Sequence, residues 1–291
     1  MRKFYLQNAA GERFGLNKEN GVFFSDPSGL GFEQAVTWGD LGRGFFTALD
    51  EPEERADPQT PVTGKLTFLP PAYANYRSFS DWIHAAGNLV LIYQPYGTDE
   101  FEKPVEVGYL QKGELNKVRW LQCPVAFEPS SPWRRPTPTE MEMQSSETGT
   151  NRRYPYRYPI RYGTDAAGRM SARIRAAGHL NGAVLLRYTG AIVGPEIRLT
   201  GAVTGKVYGI CRLSSTLGSS DTLELSTMVE DCHVHRIAPS GTAEDLSPDL
   251  DLSQNPYFRV PCDEDSILSI ESSQRFTGAA QLTVYHYYRT V

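Results

Sequence analysis

Cysteine is scarce in this chain of 291 residues: Cys123, Cys211, Cys232 and Cys262 lie far apart, with no C-x-x-C pair. A disulfide framework needs a smaller and cysteine-denser chain, so the four read as buried free thiols. A basic surplus is also missing, with 29 Lys and Arg against 34 Asp and Glu and a net charge of −5. That balance argues against a general nucleic-acid binder. No apolar run approaches the roughly 18 residues of a membrane helix. The opening MRKFYLQNAAGERF has two basic residues but no apolar stretch behind them, so no signal peptide is expected and the chain reads as cytoplasmically made. A phosphate-binding P-loop, a dinucleotide glycine fingerprint, an H-E-x-x-H helix and a G-x-S-x-G elbow are all absent. The sequence therefore offers no catalytic residue and no cofactor-binding residue, and it reads as a protein that is not an enzyme.

What is present is a β-rich pattern. With 26 glycines and 20 prolines, short stretches of Val, Ile, Leu, Tyr and Phe are separated every few residues. One helix is expected over residues 78–86, where Phe79, Trp82, Ile83 and Ala86 share a face and Gly87 stands at the stop position. Strands are expected at 2–7 and 13–16, as a hairpin, and at 62–69, 89–93, 105–109, 114–117 and 120–127. The run LVLIY at 89–93 is continuously apolar and reads as buried on both faces.

After Phe127 the composition changes to Pro, Ser and charge. Residues 1–130 read as one domain, 131–160 as a connection or an arm packed on a neighbouring copy, with one strand at 141–144, and 161–291 as a second domain. In that domain, strands are expected at 182–188, 196–199, 206–211, 222–226, 231–237, 266–271 and 280–288, a pattern that suggests a two-sheet antiparallel sandwich.

Few groups suggest chemistry. Asp231, His233 and His235 share one face of a strand, a geometry that can hold Zn²⁺ or Cu²⁺. A solvated strand face explains the same residues, so no metal ligand is assigned. The acidic run at 244–251 lacks the turn glycine and closing glutamate of a calcium loop and reads as solvated. Arginine and tyrosine alternate over 152–162, a composition better suited to a structural linker or a protein–protein contact than to single-stranded nucleic acid in an acidic chain. Trp120, Trp133 and Tyr257 read as core or interface residues, and a carboxylate pair for sugar hydrolysis has no visible anchor.

The order of short motifs carries more information than any one of them. It runs Phe4-Tyr5-Leu6-Gln7-Asn8, Gly11, Leu16-Asn17, Pro27-Ser28-Gly29-Leu30-Gly31-Phe32 and Thr63-Gly64-Lys65-Leu66-Thr67-Phe68. Tyr73-Ala74-Asn75-Tyr76 leads to Trp82-Ile83, then Leu89-Val90-Leu91-Ile92-Tyr93-Gln94-Pro95, Leu110-Gln111-Lys112-Gly113-Glu114 and Ser131-Pro132-Trp133. Later come Arg175-Ala176-Ala177-Gly178-His179-Leu180, Gly190, Gly194-Pro195-Glu196-Ile197 and Asn255-Pro256-Tyr257-Phe258-Arg259-Val260-Pro261. This order resembles the phage distal tail protein family, also called the siphovirus-type tail component, over nearly the whole chain. Arg134-Arg135-Pro136 departs from the aromatic that the family pattern has after Trp133, and Asn181-Gly182-Ala183 replaces a more familiar Pro-Ala step.

The resemblance implies a mainly β protein. Its N-terminal β-sandwich-like domain, with one short helix, would form a homo-oligomeric ring, commonly a hexamer, as a baseplate hub between tail tube and tail tip. Its C-terminal domain would be a galectin-like or carbohydrate-binding-module-like β-sandwich. Expected partners are further copies of itself, the tail tube protein, the tail-tip hub protein and a receptor-binding protein, with host cell-wall polysaccharide as an alternative ligand of the second domain. A phage-tail-like bacteriocin particle would use an equivalent component. Neither membrane nor direct nucleic-acid recognition is implied, nor any catalytic residue, and no subunit-contact residue is assigned.

Overall fold

The computed structural model describes residues 2–31, 38–40, 46–48, 60–144 and 168–291. The arginine–tyrosine stretch at 152–162 lies outside the described residues. The chain divides into two compact units, Met1–Arg135 with Tyr288–Val291, and Pro136–Tyr287.

The first unit contains β1 (Lys3–Gln7), β2 (Arg13–Gly15), β3 (Val22–Ser28), β4 (Trp38–Asp40), β5 (Phe46–Ala48) and β6 (Val62–Phe68). It continues with α1 (Ala72–Ala85), β7 (Leu89–Gln94), β8 (Phe101–Leu110), β9 (Leu121–Pro129) and the first residues of β10 (Trp133–Glu140). The main sheet is antiparallel with strand order β2-β1-β7-β8-β9-β6-β3. Its two ends meet through Leu16, whose N–H donates to the Phe4 carbonyl at 2.9 Å and whose carbonyl accepts from Phe24 at 3.1 Å. The curled sheet therefore closes on itself, which satisfies strand edges that would otherwise be open. β4 and β5 form a separate two-stranded ribbon, with Trp38 opposite Ala48.

The core follows strand alternation. Phe4 and Leu6, Val22 and Phe24, Leu66 and Phe68, and Cys123, Val125 and Phe127 all point inward. Over this face lies α1, whose Phe79 is fully buried between Phe14 and Phe68, at ring-centroid distances of 5.2 and 5.6 Å. Burial of such a ring contributes about 1.5–3 kcal/mol. Gly87 has φ +65°, the left-handed conformation that ends a helix without steric cost. On β7 the neighbours Leu91 and Ile92 are both fully buried, as the apolar run LVLIY implies.

Two sequence expectations are corrected in this unit. The helix begins at Ala72 and not at Ser78: Ala72 and Tyr76, whose ring meets Phe68 at 5.4 Å, extend the Phe79 face towards the N-terminus, while Tyr73 stands exposed. Residues 114–117 form no strand. Asn116 Oδ1 accepts the N–H groups of Val118 and Trp120, and Arg119 has φ +60°, so the chain turns there before β9 begins.

In the second unit, β10 is followed by β11 (Glu142–Gln144), β12 (Arg169–Ile174), β13 (Leu180–Val193), β14 (Glu196–Gly201), β15 (Val207–Arg212) and β16 (Thr216–Leu217). After these come β17 (Thr222–Met228), β18 (Asp231–Ile237), β19 (Ala243–Asp245), a 3₁₀ turn (Ser247–Asp249), β20 (Ser266–Glu271) and β21 (Thr277–Tyr288). One sheet has the order β11-β12-β20-β14-β15, and the other runs β19-β18-β17-β13-β21 towards β10. Ile197, Leu199, Leu268 and Ile270 of the first sheet share one buried cluster with Val184, Leu186, Leu223, Leu225 and Val284 of the second. The unit is thus a two-sheet antiparallel sandwich. The strand expected near 141–144 is β11, and β10 also falls within the stretch read as a connection.

All four cysteines are free. Cys123 and Cys211 are buried as expected, but Cys262 is half-buried and Cys232 exposed. Cys232 sits near the start of β18, where its Sγ donates to the Met228 carbonyl at 2.6 Å in place of apolar packing. Among the described residues no helix is long and apolar enough to cross a membrane.

Candidate functional site

In the first unit, the connection between β8 and β9 exposes apolar side chains: Val118 at 59%, Leu115 at 41% and Trp120 at 36%. The Asn116 turn presents them, and the Trp120 ring meets Phe23 edge-on at 6.2 Å. This connection also reaches the start of α1. Lys112 Nζ lies 5.0 Å from the Tyr73 ring centroid and 5.8 Å from that of Tyr76, and the Tyr73 hydroxyl donates to Glu114 at 3.3 Å. The result is an aromatic and apolar patch with a cation and a carboxylate at its rim, the composition of a protein contact surface. Trp133, by contrast, is 1% exposed and belongs to the core, and Tyr257 packs half-buried against the core of the second unit.

The second unit carries two charged constellations. A cleft of about 490 Å³ is lined by Arg169, Gly194, Glu196, Arg212, Glu271 and Ser272. Glu196 stands directly opposite Glu271 across β14 and β20, and it accepts from Arg198 at 2.5 Å and Arg212 at 2.6 Å. Burial pushes the Glu196 carboxyl up, but the two guanidinium groups outweigh it and hold the group below the usual carboxylate range. A glycosidase acid requires the opposite shift, so Glu196 is unsuited to that role.

The second constellation lies on β17 and β18. Register pairing sets Arg187 opposite Glu224, Glu224 opposite His235, and His235 opposite Asp245. His233 Nε2 is 3.1 Å from Glu224 Oε1, and its Nδ1 is 3.0 Å from Asp231 Oδ1. Glu224 Oε2 accepts from Arg187 Nε. The two imidazoles stack with centroids 4.4 Å apart. Burial raises the Glu224 carboxyl, while Arg187 and His233 together bring it below its ordinary value. The structure thus unites Asp231, His233 and His235, as strand alternation foretells, and adds Glu224 and Arg187. A residue on a neighbouring strand has no fixed sequence spacing, so register alone could have revealed those two.

In the acidic stretch the carboxylates serve local turns and pairs. Glu244 pairs with Arg236, Asp245 accepts the Ser247 N–H at 2.9 Å, and Asp251 accepts from the Ser253 hydroxyl at 2.6 Å. His286, in the second unit, accepts the Ala177 N–H at Nδ1 at 3.0 Å, with Nε2 3.0 Å from Thr137 Oγ1.

Comparison with known proteins identifies the first unit. Residues 3–130 match the family model of the distal tail protein N-terminal domain. The first unit is therefore similar to a distal tail protein N-terminal domain. The solved structure of the phage P2 baseplate in its activated conformation with Ca is similar over 100% of both chains, with a TM-score of 0.68 and 14% identity. The crystal structure of SPP1 Dit (gp 19.1), a hub adsorption apparatus protein of phages infecting Gram-positive hosts, is similar over 97% of this chain and 98% of its own. Its TM-score is 0.54 at 8% identity. At such identities these two likenesses speak for the fold, and they extend it beyond the family match into the second unit. No curated protein matches the sequence. Distal tail components are structural proteins of the phage tail and baseplate.

Proposed function

We propose that this chain is a phage distal tail protein that assembles into a closed homo-oligomeric ring, a hexamer, which joins the tail tube to the tail-tip hub protein and carries the receptor-binding apparatus. The observation that carries this reading is the match of residues 3–130 to the distal tail protein N-terminal domain. Two features of the first unit support it. The apolar patch of Leu115, Val118 and Trp120 is a surface that water disfavours, and a partner subunit would cover it. The strands of the β4–β5 ribbon pair only with each other among the described residues, and an isolated two-stranded ribbon is marginal in water. Rotational symmetry lets every copy use the same two surfaces, so that the ring closes without a free edge. An acidic chain also suits a channel through which DNA slides without adhering. On this reading the sandwich of the second unit is a galectin-like platform for other tail proteins.

Mass photometry of the purified chain tests the ring: a species near six times 32.5 kDa is expected, and Val118→Asp with Trp120→Glu should shift it to monomer. A monomer persisting at the highest soluble concentration counts against a self-assembled ring.

A second reading assigns host cell-wall polysaccharide to the second unit. The cleft around Glu196, Arg212 and Glu271 favours it, because planar carboxylate and guanidinium groups match vicinal sugar hydroxyls. Retention of the chain on immobilised host polysaccharide, lost in Arg212→Ala, is the expected result. Equal retention of that variant removes the cleft from consideration.

A further inference from the structure

We propose that Glu224, His233 and His235 form a binding site for one Zn²⁺ ion on the sheet face of the second unit, tying β17 to β18. The inference does not rest on the ring. It rests on the arrangement of donors, because Asp231, the third residue of that strand face, is engaged with His233 Nδ1 and a third ligand must come from another strand. Strand register supplies that ligand: Glu224 lies directly across from His235 and diagonal to His233. One donor atom from each of the three residues lies within 4.8 Å of the others. Zinc bonds to imidazole nitrogen and carboxylate oxygen measure roughly 2.0–2.2 Å, so adjacent donors on a tetrahedral ion stand about 3.3 Å apart. The 3.1 Å between His233 Nε2 and Glu224 Oε1 already meets that spacing. The His235 donor, within 4.8 Å of the other two, closes the remaining gap when the ion binds.

The surrounding residues fit the same role. A ligating histidine ordinarily gives its other ring nitrogen to a carboxylate, which fixes the tautomer and strengthens the donor. Asp231 Oδ1 takes that position on His233 Nδ1 at 3.0 Å, which leaves Nε2 directed at Glu224. Arg187 engages the Glu224 oxygen that the ion would not use, Oε2, and so orients the carboxylate. Asp245, opposite His235 on β19, adds a further negative charge beside the imidazoles. Among the described residues, the carboxylates of Glu224, Asp231 and Asp245 outnumber the Arg187 guanidinium paired with Glu224, so the local charge favours a cation. Two imidazoles with one carboxylate select a borderline ion such as Zn²⁺ over Ca²⁺ or Mg²⁺, which prefer oxygen alone. Three protein ligands leave the fourth position to water or to a donor from a neighbouring protein.

The test is calorimetric titration of Zn²⁺ into the full-length chain stripped with chelator, together with the metal content of the protein after dialysis. One equivalent should bind saturably, and Ca²⁺ should not compete. His235→Gln should weaken binding at least tenfold. Asp231→Asn, which removes only the orienting carboxylate, should weaken it roughly 10- to 100-fold. Cys232→Ser should leave binding unchanged, which separates this site from the exposed thiol next to His233. Glu224→Gln unbalances Arg187, so the histidine variants, checked for an unchanged circular dichroism spectrum, carry the decision. Absence of saturable one-equivalent binding overturns the proposal. So does binding that survives the His233→Gln/His235→Gln double variant.

Discussion

Lys103 offers a sharp test of the energetics of the first unit. Its side chain lies in β8 at only 4% exposure, with Nζ donating to the Thr60 carbonyl at 3.2 Å and standing 5.2 Å from the Trp133 ring centroid. Burial lowers its pKa from 10.5 to about 8. The folded state therefore disfavours the charged amine, and between these two values the unfolded chain binds more protons than the folded one. Stability must then rise with pH over that window, and the full cost is present below pH 8. A difference of 2.5 pKa units corresponds to about 3 kcal/mol at pH 7, falling below about 1 kcal/mol at pH 10. Lys103→Met keeps the apolar stem and removes the charge, at the loss of one hydrogen bond worth about 1 kcal/mol. Guanidinium unfolding of both proteins at pH 7 and pH 10 should show the variant more stable by about 2 kcal/mol at the lower pH. That advantage should vanish or reverse at the higher pH. Subtracting the two proteins cancels the other groups that titrate in this range. A stability difference that stays constant between pH 7 and pH 10 would refute the reasoning.

Two further outcomes follow from the packing and charge. Phe79→Ala should destabilise the first unit by about 3–5 kcal/mol, because a fully buried ring between Phe14 and Phe68 leaves a cavity; thermal unfolding reads it, and a loss below about 1 kcal/mol would mean that α1 is not held by this ring. Glu196 is held below the usual carboxylate range, so its contribution is present above its unfolded value of about 4.3 and is lost as pH falls through the folded value. Glu196→Gln should accordingly flatten the acid limb of the stability curve, and an unchanged limb would show that Arg198 and Arg212 do not stabilise the charge.

Sequence pattern sufficed where burial is periodic. β18 occupies residues 231–237 and β20 residues 266–271, both as alternation foretold, and Phe79 and Gly87 take the places that a helix face and a helix stop require. The first turns of α1 were illegible because exposed Tyr73, Ala74, Arg77 and Ser78 dilute the inward face of Ala72 and Tyr76. β10 was hidden for another reason, since Pro136 and Pro138 suggest a linker and an extended strand tolerates them only where its N–H groups are not needed. Half of the charged cluster on the second sheet could be read, because His233 and His235 are two apart on one strand. Glu224 and Arg187 could not, because they arrive from neighbouring strands through register.

The division of the chain has an evolutionary consequence. The path leaves the first unit after Arg135 and re-enters it at Tyr288, whose ring meets Phe101 at 5.2 Å, while Val291 donates to Leu30 at 3.2 Å. Exit and re-entry occur on neighbouring strands, β10 and β21, so both ends of the second unit lie side by side. The second sandwich is thus an inserted cassette and not an appendage. Any domain with adjacent termini could be exchanged at these two seams while the first unit retains its closing residues, an economical way for a lineage to change one unit without rebuilding the other.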